Sequence, residues 1–208
     1  MKTLIAIPCM DMVHTLFAKS VMTLQLRDQV EVSFASGSLI YDARNKLAMK
    51  AVEEGFDRVL WLDSDMVFEP DLFPKLANRL DEGYSFVSGL YFKRKAPIAP
   101  VIYERCDLVE NETHETIPVA KTFDDYPKDQ LFEIKAAGFG GVMMTTELID
   151  KVHKKYGLPF FPVAGFGEDL AFCYRCQMAG EKMYCDSSIK LKHIGLVEIG
   201  EETFQRGG

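Results

Sequence analysis

The sequence lacks any apolar run near the roughly 18 residues that a membrane-spanning helix needs, so no span is expected within its 208 residues. The opening stretch Met1-Lys2-Thr3-Leu4-Ile5-Ala6-Ile7-Pro8 is apolar for too short a run to read as a secretory signal. Cysteine is sparse: five residues, an odd number without regular spacing. That excludes a disulfide framework and points to reduced thiols in a cytoplasmic protein. Internal repeats and low-complexity segments are missing, which excludes solenoid and disordered architectures. An excess of positive charge is missing too, since 24 Lys and Arg stand against 31 Asp and Glu, a net charge of −7. Such a surface suits neither a general nucleic-acid binder nor an anionic-membrane binder. A local basic pocket remains compatible with it.

What is present is an ordinary globular composition, 48% hydrophobic and 26% charged. Roughly 100 apolar residues suffice for a core without staples, and the length fits one domain. Leu4–Ile7, ended by Pro8, reads as a buried strand, and residues 12–26 as a helix with Val13, Leu16, Phe17, Val21 and Leu24 near one face. Val30–Ala35 alternates as a second strand. Ser36, Gly37 and Ser38 break it and can cap a helix over Leu39–Glu54 that Gly55 stops. Val59-Leu60-Trp61-Leu62 is continuously apolar, as a central parallel strand should be. Pro70 and Asp71 open a helix to about Leu80, and Phe86–Tyr91 is a fourth strand. This alternation predicts an α/β fold with a mostly parallel sheet. Residues 93–130 read as an irregular excursion with an edge hairpin. Beyond them come a strand at Phe132–Ala136, the strand Val142-Met143-Met144, and helices over residues 145–156 and 168–179. Short strands at Met183–Cys185 and Ile189–Leu191 precede a loose tail over 201–208.

The chemistry gathers first at Asp63-Ser64-Asp65, directly after the most apolar strand. Ligands of open α/β sheets bind beyond the carboxyl ends of strands. Two carboxylates flanking a small Ser there are difficult to keep ionised and unpaired, and a divalent cation resolves the conflict. Mg²⁺ or Mn²⁺ takes oxygen ligands and completes its shell with substrate phosphates. The structural alternative is a turn that caps the next helix. Arg44 falls mid-face among Ile40, Ala43, Leu47, Ala48 and Ala51, so its buried guanidinium needs an anion. Asp42 and Asp63 are candidate structural partners, and a diphosphate is the functional alternative. Asn45 lies off that face. Glu168-Asp169 opens a helix, where acids also serve as caps. Asp169 leads the stripe Phe172, Cys173 and Cys176, so its carboxylate sits at a buried edge where desolvation raises its proton affinity, as a general base requires.

Arg58–Met66, with its Asp-x-Asp, resembles the metal-binding segment of the GT-A fold glycosyltransferases. Residues 38–55 resemble the helix that precedes that segment, and Gly167-Glu168-Asp169 resembles the acceptor-side acidic motif. The resemblance covers most of the chain except residues 93–130. It implies a GT-A, Rossmann-like fold: residues 1–92 as the nucleotide-sugar half, 93–130 as an insert and 131–200 as the acceptor-side half. It implies transfer of a sugar from a nucleotide-diphosphate sugar, a UDP-sugar foremost, to an acceptor hydroxyl with inversion. Pro8, Met10, Arg44, Asp63, Ser64 and Asp65 would bind the donor, and Asp63 and Asp65 with His193 would hold Mn²⁺ or Mg²⁺. Asp169 would be the base, and Gly140, Gly141 and Glu168 would border the sugar and acceptor.

Other readings compete. Cys173, Cys176, Cys185 and His193 could be counted as a zinc set, but Cys173 and Cys176 fall inside a helical segment, where thiols are small core residues. Gly138-Phe139-Gly140-Gly141 lacks the Lys-Ser/Thr of a phosphate loop. Lys93-Arg94-Lys95 follows a strand end and could hold phosphates or an anionic acceptor, although a solvated charge run is the simpler reading. Asn111-Glu112-Thr113 is a glycosylation sequon by letters only. A sugar nucleotidyltransferase would share the sheet and the acids, but Pro8–Met12 stands where its Gly-rich, basic loop should be. A non-catalytic nucleotide- or glycan-binding domain is the remaining alternative.

Overall fold

The computed structural model describes residues 1–27, 29–37, 39–195 and 198–201, with only the backbone of Glu198 and Ile199. Ser38 and the 202–208 part of the expected tail lie outside the described residues. The first half runs β1 (Lys2–Cys9), α1 (Thr15–Met22), β2 (Gln29–Ser36), α2 (Ile40–Glu53), β3 (Arg58–Leu62), β4 (Met66–Phe68), α3 (Leu72–Asp81) and β5 (Phe86–Leu90). The second half runs β6 (Ile102–Glu110), β7 (Thr116–Thr122), β8 (Leu131–Ile134), β9 (Ala136–Ala137), β10 (Gly141–Thr145), α4 (Thr146–Tyr156), α5 (Glu168–Met178), β11 (Met183–Ile194) and β12 (Glu198–Ile199).

The main sheet has the order β12-β11-β5-β10-β3-β1-β2, with β4 and β8 also paired to β11. Its strands bury both faces, so β1 and β3 are apolar without alternation. Leu4, Ala6, Val59 and Trp61 join one core with Leu47 and Ala48 of α2, Ile149 of α4 and Phe172 of α5. Ile5, Ile7, Leu60 and Leu62 join the opposite core with Phe17 of α1 and Phe73 and Leu76 of α3. The result is a three-layer α/β/α sandwich. Among the described residues, no helix is long and apolar enough to cross a membrane.

Three sequence expectations change. The helix expected over 12–26 spans only Thr15–Met22, because the His14 ring caps it by accepting from Leu16 N at 3.1 Å. The strand expected at Val142–Met144, β10, lies between β3 and β5 and is antiparallel to both. The chain reaches it without a crossover helix, so it must run back from the edge where β5 ended. The strands expected at 183–185 and 189–191 form one strand, β11, with a register shift between Asp186 and Lys190. The hairpin expected within 93–130 is β6–β7, extended by β9 into a second sheet.

Candidate active site

β1, β3 and β5 run parallel to one another, and β11 runs parallel to β5. Their carboxyl ends therefore meet at one edge, which brings together Pro8–Met10, Asp63–Asp65, Tyr91–Lys95 and His193. Two cavities open there. One, of about 400 Å³, is lined by Pro8, Met10, Arg44, Ser64, Asp65 and Glu168. The other, of about 510 Å³, is lined by Lys93, Lys95, Tyr91, Tyr103 and Asp169. Asp63, Arg94 and His193 belong to the walls of both.

Arg44 is 2% exposed, as its position on the buried face of α2 requires. It donates from Nη2 to Asp63 Oδ1 at 2.7 Å and from Nε to Glu168 Oε1 at 3.4 Å. Its guanidinium carbon lies 5.2 Å from the Phe139 ring centre. Burial works against the charge, but Asp63, Glu168 and Asp169 outweigh it and hold the guanidinium above its ordinary pKa. Nη1 is buried and has no hydrogen-bond partner among the described residues. Asp42, the other candidate partner, pairs with Lys46 instead, at 2.7 Å. Asn45 is not off the face: it is buried and accepts from Phe160 N at 2.9 Å, pinning the chain that leads to α5.

Asp65 and His193 meet across 128 residues of sequence, with Nε2 3.2 Å from Oδ2. They are held by a ladder. β4 pairs antiparallel with β11, placing Met66 opposite His193, and Ile194 N donates to Asp65 O at 2.8 Å. The other ring nitrogen, Nδ1, lies 3.1 Å from Phe92 O. A carbonyl only accepts, so Nδ1 carries the proton. Arg94 also donates to Asp65 Oδ2. Burial would raise the Asp65 pKa, yet the His193 hydrogen bond and the charges of His193 and Arg94 carry it below its ordinary value. Asp63 gives its Oδ1 to Arg44, and its Oδ2 has no hydrogen-bond partner among the described residues.

Asp169 is half-buried at the first turn of α5 and accepts from Leu170 N at 2.7 Å. Desolvation first, and then the neighbouring Glu168, push its carboxyl up to about 6, with Arg44 pulling the other way. Consecutive helical residues point about 100° apart, so Glu168 serves the Arg44 cavity and Asp169 the other. Gly140 and Gly141 are buried and line neither cavity. Packing explains the glycines: a Cβ on Gly141 would lie 2.5 Å from Leu191 Cδ2, and one on Gly140 2.9 Å from Tyr91 Cζ. The zinc reading is overturned, because Cys173, Cys176 and Cys185 are core residues while His193 faces Asp65 and Phe92.

Sequence reasoning missed two tyrosines. Tyr91 is buried, accepts from Gly140 N at 3.2 Å and sets its ring 5.7 Å from that of His193. Burial, Asp63 and Asp169 hold its hydroxyl well above the usual phenol range. Tyr103 lines the Asp169 cavity, and burial followed by Asp169 raises it to about 12. The position of Tyr91 at a strand's carboxyl end was the available signal. Tyr103 gave none, since β6 belongs to the second sheet.

Family models and curated proteins give no match to this sequence. Solved structures do. A197 from STIV is similar at 22% identity and TM-score 0.65, over 94% of this chain and 86% of that one. GalNAc-T7, solved with UDP, GalNAc and Mn²⁺, is similar at 12% identity and TM-score 0.61, over 93% of this chain and 44% of that one. This chain thus spans under half the length of GalNAc-T7. The likeness shows the fold, which is of the GT-A type.

Proposed function

We propose that this GT-A-fold chain transfers a sugar from a nucleoside-diphosphate sugar to an acceptor hydroxyl, with a divalent cation and with inversion at the sugar carbon. The observation that supports it most is the Asp65–His193 pair, in which His193 lines both cavities. With Nδ1 committed to Phe92 O, His193 meets Asp65 Oδ2 at 3.2 Å in one of two ways: a protonated ring donates from Nε2, or a neutral ring turns the Nε2 lone pair toward the carboxylate. Two acceptors at that distance require a proton or a cation between them. Adjacent vertices of an octahedron with ~2.1 Å bonds lie ~3 Å apart, so the spacing fits a shared metal. A backbone carbonyl that fixes the tautomer is the usual support of a metal-ligating His.

Imidazole with carboxylate suits Mn²⁺ better than Mg²⁺. Among the described residues, no group of three His, Cys, Asp or Glu forms a cation site. Asp65 and His193 would therefore leave most of the shell to donor phosphates and water. The bound cation would neutralise charge developing on the departing diphosphate. In this reading Asp63 is an orienting group rather than a ligand, locked by Arg44.

The remaining roles fall to the chain itself. Pro8 and Met10 wall the donor cavity beside the Asp-x-Asp. Asp169, kept from ionising easily by desolvation, accepts the proton of an acceptor hydroxyl held in the second cavity. In this reading Asp65 and Asp169 would act on the sugar carbon from different cavities, as a single in-line displacement requires. The presence of UDP and Mn²⁺ in the GalNAc-T7 structure makes UDP-sugars the first donors to try. Incubating the protein with a panel of nucleotide sugars and Mn²⁺ should release a nucleoside diphosphate, and EDTA should stop the release. A nucleoside triphosphate formed with added pyrophosphate would replace this reading with nucleotidyl transfer. No release in either assay would leave a binding domain.

A further inference from the structure

Three consecutive cations, Lys93, Arg94 and Lys95, stand on the loop that follows β5 in a chain whose net charge is −7. The loop is pinned at its base: Lys93 N donates to Ala99 O at 2.9 Å and Val101 N to Tyr91 O at 3.0 Å. The three side chains are not equivalent. Arg94 sits at the junction of the cavities and is taken by Asp65. Lys93 and Lys95 line the Asp169 cavity and not the one that holds Pro8, Met10 and Arg44. Several other lysines of this acidic surface are neutralised. Lys50 pairs with Glu31 and Glu54, Lys75 with Asp71, and Lys182 with Glu133. Lys93 and Lys95 have no ion pair among the described residues, and Asp63, the other acid of this cavity wall, is held by Arg44.

We infer that the acceptor carries an anionic group, a phosphate or a carboxylate, besides its reacting hydroxyl, and that Lys93 and Lys95 bind that group. The inference rests on the transfer reading, in which the Asp169 cavity is the acceptor side. A neutral acceptor would leave two ammonium groups unmatched in the wall of its own site. An anion matches both, and the Tyr91 and Tyr103 rings and Val101 can then pack the rest of the molecule. The donor diphosphate is the competing occupant of the cations. Arg94 alone of the three lines the donor cavity, Lys95 shares a smaller pocket with Asp65 and Arg94, and Lys93 lines the Asp169 cavity only, so the placement argues against the diphosphate most strongly at Lys93.

The test is an NMR titration of the full chain with Mg²⁺ and saturating UDP, using glycerol 3-phosphate, glycerate and glycerol as probes. The expected result is that one or both anions bind about tenfold or more tighter than glycerol, with an affinity that falls as salt rises. The phosphate and carboxylate arms identify the group. Lys93→Gln/Lys95→Gln, checked for folding by its melting curve, should abolish the preference and leave UDP affinity unchanged. Equal binding of the three probes, or binding of none, overturns the inference and leaves the transfer reading standing. A double variant that loses UDP affinity instead assigns the lysines to the donor. Absence of UDP binding in the unmodified chain overturns both readings.

Discussion

Asp169 combines two demands in one side chain, since its carboxylate accepts from Leu170 N in the first turn of α5 and faces a cavity that desolvates it. Its pKa of about 6 separates them by pH. Below about 6 the group holds a proton and cannot accept another. The log of kcat/KM should therefore rise with pH and level off above about 6. Stability runs the other way: the folded carboxyl binds its proton more tightly than an unfolded Asp. Folding stability should fall as pH rises from about 4 to about 6, and Asp169→Asn should remove that fall. Asn keeps an acceptor oxygen for Leu170 N, so the variant should melt normally yet lose ~10²–10⁴-fold in rate. In Arg44→Met the cation that opposes the shift is gone, and the midpoint of the pH profile should move upward. A profile unchanged in both variants would remove Asp169 from the chemistry.

β4 and β11 turn two distant residues into one site at the scale of the element. The Asp65–His193 spacing is set by a short antiparallel ladder, not by the side chains alone. Ile194→Pro removes the N–H that bonds Asp65 O. We expect Mn²⁺ affinity, read by electron paramagnetic resonance, to fall ~10-fold, while the circular dichroism spectrum stays that of the folded sheet. Unaltered affinity would mean that the ladder does not position the pair. Strand ends were legible at this scale because apolar runs stop abruptly at Pro8, Asp63 and Tyr91. The pairing was not. Nothing local to Met66-Val67-Phe68 announces a partner in residues 191–193, since register between distant strands depends on the whole sheet. The antiparallel entry of β10 escaped for the same reason: a buried strand between two neighbours is apolar whichever way it points.

Across the whole molecule, the alternation of strand and helix through residue 90 was enough to predict an α/β fold with a mostly parallel sheet, and the resemblance of the Asp-x-Asp and acidic segments supplied the GT-A type. The alternation also placed Asp63 and Asp65 at the carboxyl end of β3, while Arg44 and Asp169 were read from the apolar faces of their helices. The division of labour among them was beyond one-dimensional reading. Arg44 takes Asp63, which leaves Asp65 for His193, and Glu168 and Asp169 part to different cavities because adjacent helical positions diverge. The three cations after β5 read as a solvated run because their cavity is completed by Tyr103 of β6, an element of the second sheet.

The central claim is that a nucleoside diphosphate is held through a divalent cation on Asp65 and His193. Calorimetric titration of UDP into the protein, with Mn²⁺ and with EDTA, tests it most directly when repeated on Asp65→Asn. The account predicts saturable binding with Mn²⁺, a loss of ~10-fold or more in EDTA, and a comparable loss for Asp65→Asn that Mn²⁺ does not restore. Equal UDP affinity in Mn²⁺ and in EDTA would contradict it.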